Sequence, residues 1–576
     1  MAIIDPRTAL DRLSLSKFGG IKSGRRITSE GASDMCNFRI RRDGTLEKRC
    51  GFRSLHTFSG PVRGVWEGVI YNQTYSFFVG YNKIYRLGPD DRFPTEIYYL
   101  TTYEQPVSFL FYRDRLFLFD GASVLVFLPA LGTFSVTDGY VPLYGYNWSP
   151  TQPGSIHEPR NLLNNRLRIH YLNTAASTTF RLPFTGKKIE SLRIDGTNVT
   201  NYSYTPGTST FTIPSTYANG RVVEVAFELD DSFSLRSYTL TGCRAMLYKD
   251  SYRETLITYG AKAPSYMLCY SREVSDESLA ECAKIYSVST PLYLPLENRF
   301  SVGSAQHPIR AVCQSNEQVL VFTDNASWTI RYPEKDSTTP EIYLFHSGIG
   351  CYSKDGVVLC SHQPVTVHSG GISLLKIPSY DPNSCYLELL SEDINDRLDS
   401  SFLKNAILYH RHNPDELWVR DPTDSEGTVW IYDLVQKHWF RFDNIHANAF
   451  FEWNNQFCFS SDLGSVYVFD ESVHDDDYDD INAFYKSHYF SFAPAELPKR
   501  SIRACLCVDA DESPITVVLE TERCRKELHP MGSGSDAPTL FDYRLSPGRF
   551  QFLRYTVTAN DSQECRVHFL SLSANN

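Results

Sequence analysis

Short apolar strands broken by small polar turns recur along most of the 576-residue chain. Tyr75–Leu87 reads YSFFVGYNKIYRL, Asp114–Leu128 reads DRLFLFDGASVLVFL, and Glu317–Tyr332 reads EQVLVFTDNASWTIRY. The pattern returns at Pro364–Lys376 (PVTVHSGGISLLK), Glu416–Leu434 (ELWVRDPTDSEGTVWIYDL) and Gln456–Asp470 (QFCFSSDLGSVYVFD). Each pairs two apolar or aromatic runs across a turn, the signature of a hairpin. Within 61–135 and 310–470 the copies are spaced by about 40–50 residues, the size of one four-stranded blade, and a unit that small must stack on its neighbours to bury its face. Six clear hairpins and a weaker unit around Tyr266–Leu296 predict a six- or seven-bladed β-propeller, in which ring closure protects the strand edges. Helical periodicity is nearly absent. Its best candidate is Ser391–Asn405 (SEDINDRLDSSFLKN), which opens on a serine cap and an acidic first turn.

Three stretches depart from the repeat. Residues 136–300 are too long for one blade. Within them FRLPF (Phe180–Phe184), SLRIDGTNVT (Ser191–Thr200), STFTIP (Ser209–Pro214) and GRVVEVAFEL (Gly220–Leu229) alternate like strands of a small antiparallel sandwich. His474–Asp480, HDDDYDD, reads as a solvated, self-repelling linker. Beyond it FYKSHYFSF, RACLCVDA, ITVVLE, FQFLRYTVTA and CRVHFLSL form a new run of strands. The first 60 residues read as an extended arm broken by Gly19-Gly20, Gly24 and Gly31, with a hairpin in Asn37–Phe52 turning at Asp43-Gly44. The expected organisation is all-β. An N-terminal arm and hairpin occupy 1–60, a propeller 61–160 and 236–472, an inserted sandwich 161–235, and a C-terminal sandwich-like domain 481–576.

Composition supports strands: aromatic residues make up 14%, with 36 Tyr and 36 Phe. Charge adds one feature. The chain carries −11 overall, yet residues 1–56 hold 12 Lys/Arg against 6 Asp/Glu. Clustered positive charge is also a weak sign of nucleic-acid contact, but the favoured reading is an arm docked on acidic protein surface. Arg39, Arg41, Arg42, Lys48 and Arg49 are assigned to an assembly interface. The 14 cysteines contain no CxxC pair, and Cys505 and Cys507 share one face of a strand, poor geometry for a metal. They read as free thiols of a chain folded in a reducing cytoplasm. No basic-then-apolar leader opens the sequence, and no run approaches the ~18 apolar residues of a membrane helix.

Candidate chemistry is thin. Phosphate-loop, HExxH, GxSxG and strand-linked GxGxxG motifs are missing. Ser460–Tyr467 (SSDLGSVY) fits an Asp-box turn, a fold element even in sialidase-like propellers, where serine and aspartate brace a hairpin. A sialidase would also need an arginine triad and a Tyr–Glu pair, which nothing in the sequence singles out. Asp475–Asp480 lacks the glycine and glutamate of a calcium loop. His410 and His412 are read as surface decoration without a third ligand. Trp328, Trp418, Trp430 and Trp439 are read as blade packing before any sugar platform. No catalytic residue, cofactor or metal site is assigned.

Ser29–Leu87, which includes NFRIRRDGTLEKRCGF, resembles the opening of bacteriophage tail proteins, of the form N-F-R-I…D-G-x-L-x-K-R-x-G-(F/Y) followed by a first blade. Val319–Lys376, with SWTI, GIGCYS and VTVHSGGI, resembles a second stretch of those proteins, and Lys499–Leu572 resembles their C-terminal domain. The resemblance implies a structural virion protein of the tail, made in the host cytoplasm. It implies a hub or nozzle ring, usually of six copies, around the DNA exit channel below portal and adaptor. Expected partners are its own copies, adaptor or portal, tail fibres and the passing genome. A mildly acidic lumen would let DNA slide, since attraction to phosphate dominates affinity. The competing expectations are a receptor- or carbohydrate-binding tail propeller using the inserted sandwich, and a secreted propeller hydrolase.

Overall fold

The computed structural model describes residues 11–575 apart from 16–17, 25–27, 30, 219–220, 263, 287–289, 334–336, 338, 379–383, 493–496, 511–514 and 531–537. The first ten residues of the expected arm lie outside the described ones. The chain is all-β and divides into two compact units, residues 63–349 and residues 1–62 with 350–576.

Residues 63–349 contain four small antiparallel sheets that resemble propeller blades. Sheet A is Val62–Ile70, Gln73–Gly80, Lys83–Arg86 and Thr95–Tyr99; sheet B is Ser108–Tyr112, Arg115–Phe119, Val124–Leu128 and Thr133–Val136. Sheet C is Arg244–Lys249, Glu254–Tyr259, Met267–Tyr270 and Arg299–Ser301; sheet D is Ile309–Ser315, Gln318–Thr323, Ala326–Arg331 and Glu341–Ser347. Each runs up and down in sequence order. Central strands are buried on both faces, as along Gln318–Thr323, while a fourth strand such as Glu341–Ser347 is largely exposed. The text around Tyr266–Leu296 supplies only one strand of sheet C, followed by a short helix, Asp276–Ala283.

The module inserted between sheets B and C begins at Leu143, earlier than expected. Leu143–Trp148 pairs in parallel with Arg166–Asn173, which continues through Arg221–Leu229 to Gly186–Ile194 and Thr197–Asn198. A three-stranded sheet, Thr179–Arg181, Thr210–Thr212 and Ser203–Tyr204, accompanies it. The two share a core including Trp148, Leu167, Tyr171, Phe180, Phe211 and Val225.

The second unit contains sheet E (Val357–Cys360, Gln363–His368, Gly371–Lys376, Tyr386–Leu389) and sheet F (Ile407–Arg411, Glu416–Arg420, Val429–Asp433, His438–Phe442). Between them, the expected helix forms as a 3-10 turn, Glu392–Arg397, and a short α-helix, Ser400–Asn405, capped by the Asp399 side chain. Sheet G is Ala449–Trp453, Gln456–Ser460 and Ser465–Asp470, completed by Gly51–Thr57 from the arm. It opens a ten-stranded sheet that continues through Asp475–Asp476, Asp479–Ser487, Leu553–Asp561 and Ile515–Thr521 to Arg525–Leu528. Ile515–Thr521 alternates buried and half-buried positions along its length. A second C-terminal sheet orders Phe38–Ile40, Leu46–Lys48, Cys565–Asn575, Ser501–Ala510 and Thr539–Leu545. The arm therefore gives strands to four sites: Asp11–Leu15 beside Leu570–Ala574, Ala32–Cys36 beside Asp479–Ser487, the Phe38–Lys48 hairpin beside Arg566 and Val567, and Gly51–Thr57 in sheet G.

Several hairpins turn on paired positive-φ residues without glycine: Tyr71-Asn72, Arg113-Asp114, Ser361-His362 and Asn454-Asn455. Two consecutive left-handed residues make the turn whose twist matches the strands it joins. Asp43-Gly44 turns the arm hairpin as expected, with Gly44 at φ +90° and the Asp43 carboxylate accepting from the Thr45 amide at 2.9 Å.

Candidate functional site

The arm hairpin sorts its charges by strand alternation. Phe38, Ile40 and Leu46 face the core, whereas Arg39 and Glu47, opposite each other in register, face outward. Lys48 and Arg49 break the rule that cations face water. Both are only 2% exposed. Lys48 donates to the Asp561 carbonyl at 2.7 Å and carboxylate at 2.9 Å. Arg49 donates to Asn37 Oδ1 at 2.9 Å, to the carbonyls of Cys50 and Asp443 at 3.1 Å, and to both carboxylate oxygens of Asp476. All five N–H donors of that guanidinium are satisfied. Asn37, at φ +57°, closes the network by donating to the Asn482 carbonyl at 2.8 Å.

This corrects two expectations. Lys48 and Arg49 are internal and cannot face a partner. The aspartate run is no solvated linker: Asp476 is buried against Arg49, and Asp475 pairs with Arg53. Arginines from the arm neutralise the charges that would otherwise repel. That hydrogen bond from Arg53 holds the Asp475 carboxyl below its ordinary range. Gly51 lets the strands meet, since a Cβ there would lie 1.8 Å from the Asp475 carbonyl oxygen.

The outward half of the hairpin lines a cleft of about 430 Å³ with sheet F and the start of Cys565–Asn575. Six basic and six acidic side chains line it, so its charge is balanced, unlike a phosphate-binding funnel. Most of them are paired. Arg39 bonds Glu416, Arg41 donates to Glu47 at 2.7 Å, Arg566 donates to Glu47 at 3.0 Å, and His410 lies 2.6 Å from Asp415. Arg42 is exposed at the rim. Arg411 is half-buried, stacks 4.8 Å above the Phe457 ring, and leaves its Nε buried without a hydrogen-bond partner. Burial lowers its pKa, opposed by Glu416 and reinforced by Arg39. Burial also raises the Cys50 thiol in the cleft, against the pull of Arg39 and Arg411, and so keeps it protonated and unreactive. The sequence named the arm's side of this site. It did not name Arg411, Glu416 or Asp561, whose only signal was alternation within distant strands, and it placed Asp476 in a linker.

Constellations that mimic catalysis prove structural. Tyr140 donates to Glu158 at 2.8 Å beneath Arg168, and Tyr286 donates to Glu190 at 2.6 Å, but burial raises both phenols, the opposite of an activated nucleophile. His368 Nε2 lies 2.8 Å from Ser373 Oγ, while its Nδ1 accepts from the Gly370 amide. That tautomer donates to the serine and cannot act as its base. Ser461 Oγ accepts from the Ser465 amide at 3.2 Å in the Asp-box turn, a brace between strands of sheet G. His410 and His412 meet edge to face at 4.3 Å, and among the described residues no group of three or more His, Cys, Asp or Glu is placed to hold a metal. Trp418, Trp430 and Trp439 are buried, while Trp328 is half-buried. All 14 cysteines are free thiols. No helix among the described residues is long and apolar enough to cross a membrane.

No protein-family model matches the chain, and no curated protein matches it. Among solved structures it is similar to "YCF48 bound to D1 peptide" at 8% identity and TM-score 0.32, covering 73% of this chain and 94% of that one. It is similar to the AfRom2 CNH domain at 7% identity and TM-score 0.32, covering 73% and 99%. It is also similar to BBS1N, solved in complex with ARL6DN, at 8% identity and TM-score 0.27, covering 74% and 98%. Likeness this distant assigns neither partner nor activity.

Proposed function

We propose that the chain is a non-enzymatic structural subunit of a bacteriophage tail. In this reading sheets A to G are the blades of one seven-bladed propeller, the inserted module and the C-terminal domain are sandwiches, and about six copies form a hub or nozzle. That ring surrounds the DNA exit channel below adaptor and portal, carries fibres, and belongs to the virion. Support for ring closure comes from connectivity. Gly51–Thr57 completes sheet G, and only residues 58–61 separate it from Val62, the first residue of sheet A. That link spans at most ~18 Å.

The observation that carries the functional reading is what the tail-protein signature does here. Asn37, Phe38, Ile40, Leu46, Lys48, Arg49, Gly51 and Phe52 are all buried or locked in the clamp between the arm, sheet G and the C-terminal domain. A signature spent on holding an architecture suits a scaffold. Negative-stain electron microscopy of the purified protein tests it: rings with a central channel, or sixfold particles when adaptor is added, are expected. Persistent monomers that bind neither adaptor nor tails would refute it. A receptor-binding reading has one observation in its favour: on the inserted module Tyr146 is 51% exposed and stacks at 5.0 Å on His170. Specific glycan-array binding lost in Tyr146→Ala would move the assignment there.

A further inference from the structure

We infer that the cleft between the arm hairpin and sheet F is a receptor for a carboxylate-bearing polypeptide segment, with half-buried Arg411 as the anchor and Arg42 as the rim contact. The inference stands apart from the tail assignment, because it rests on the cleft alone. Its volume of about 430 Å³ lies within the range of ligand-sized pockets. The cations and anions within it are not equally engaged. Arg39 is matched by Glu416, Arg41 and Arg566 by Glu47, and Lys48 by Asp561. Arg411 is held by the Phe457 ring below and lies in the fields of Glu416 and of the Arg39 cation, but no ion pair among the described residues engages it and a buried Nε donor is left over. A guanidinium in that state gains most from a planar acceptor taken bidentately.

The acceptor's class follows from the rest of the lining. Glu47, Glu416, Glu471 and Glu564 line the cleft with the two arginines. A nucleic-acid strand would set several phosphates against those carboxylates. A peptide offers a single carboxylate for the arginines, and a flanking Lys or Arg for the exposed Glu471 of the same cleft. The geometry therefore selects a short segment of mixed charge, with one acidic residue at its centre.

Fluorescence anisotropy of the full chain tests this with a labelled peptide, acetyl-Gly-Lys-Asp-Gly-Lys-Gly-amide, and its Asn-for-Asp counterpart, at low salt and at 0.3 M salt. Saturable binding of the Asp peptide, weakened about tenfold or more in Arg411→Gln and in Arg42→Glu and by the Asn replacement, is the expected result. Circular dichroism melts show whether Arg411→Gln stays folded, and exposed Arg42→Glu gives the answer if it does not. No binding, equal binding of the two peptides, or affinity unchanged in both variants overturns the proposal. A thymidine oligonucleotide that binds more tightly through the same arginines overturns it in favour of nucleic acid.

Discussion

The arm and the inserted module solve the same problem in opposite ways. The module carries its own core, with Tyr171, Phe180 and Val223 fully buried among its own strands, and its strands pair only with one another. The arm has no core of its own. Its strands are added to sheets built from residues 449–575, and most of its paired cations meet carboxylates that lie hundreds of positions away, as with Arg49 and Asp476, 427 residues apart. An autonomous piece is readable from its own letters. A borrowed piece is readable only together with its lender.

The largest expected effect breaks the comparison directly. Arg49→Met leaves Asp476 and Asn37 without their buried donor, and one-sided removal of a buried pair costs about 3–5 kcal/mol. Phe180→Ala costs a similar ~3–5 kcal/mol through an aromatic cavity. Hydrogen exchange separates them: the first substitution accelerates exchange in Asp479–Ser487 and Leu553–Asp561, and the second only within 143–229. Equal spreading of both would erase the distinction. A smaller effect is expected from pH. Burial lowers His438 and His56, so their folded pKa values lie below the unfolded one near 6.5. The unfolded chain then binds more protons, and stability falls as pH drops below ~6.5 toward the folded values. Asp475, held low by Arg53, acts in a second window. Its contribution is complete above ~4 and is lost as pH falls through its folded pKa. Urea titrations from pH 7.5 to 3 should show both steps, and His438→Gln should flatten the first. The smallest effect sharpens the division inside the hairpin: Arg42→Glu, at an exposed rim, should shift the urea midpoint by no more than ~0.5 kcal/mol, whereas buried Arg49 does not tolerate exchange.

What the sequence made legible follows the same line. All six hairpins read from the alternation of apolar runs and turns are second and third strands of sheets A, B, D, E, F and G. The second strands are buried on both faces for most of their length and so read as continuous apolar text. Sheet C was read only as a weaker unit around Tyr266–Leu296, because its central strands, Glu254–Tyr259 and Met267–Tyr270, are separated by a longer loop and a helix precedes its last strand. Fourth strands such as Tyr386–Leu389 escaped because exposure removes the pattern. Leu143–Trp148 was missed because it enters its sheet in parallel, without a hairpin turn to announce it. The cleft was half legible: the basic cluster was visible, but which cations point inward depends on Asp476 and Asp561.

Sheet G also has a consequence for synthesis. Its final strand is made among the first 57 residues, yet the three it joins begin at Ala449. At ~5–20 residues per second on the ribosome, the early segment waits on the order of 20–80 s for its acceptor. During that interval it presents unsatisfied backbone edges to every other nascent copy, and a prematurely terminated chain never captures it. Closure of sheet G is thus tied to the arrival of Ala449–Asp470, and until then Gly51–Thr57 is a strand without its sheet.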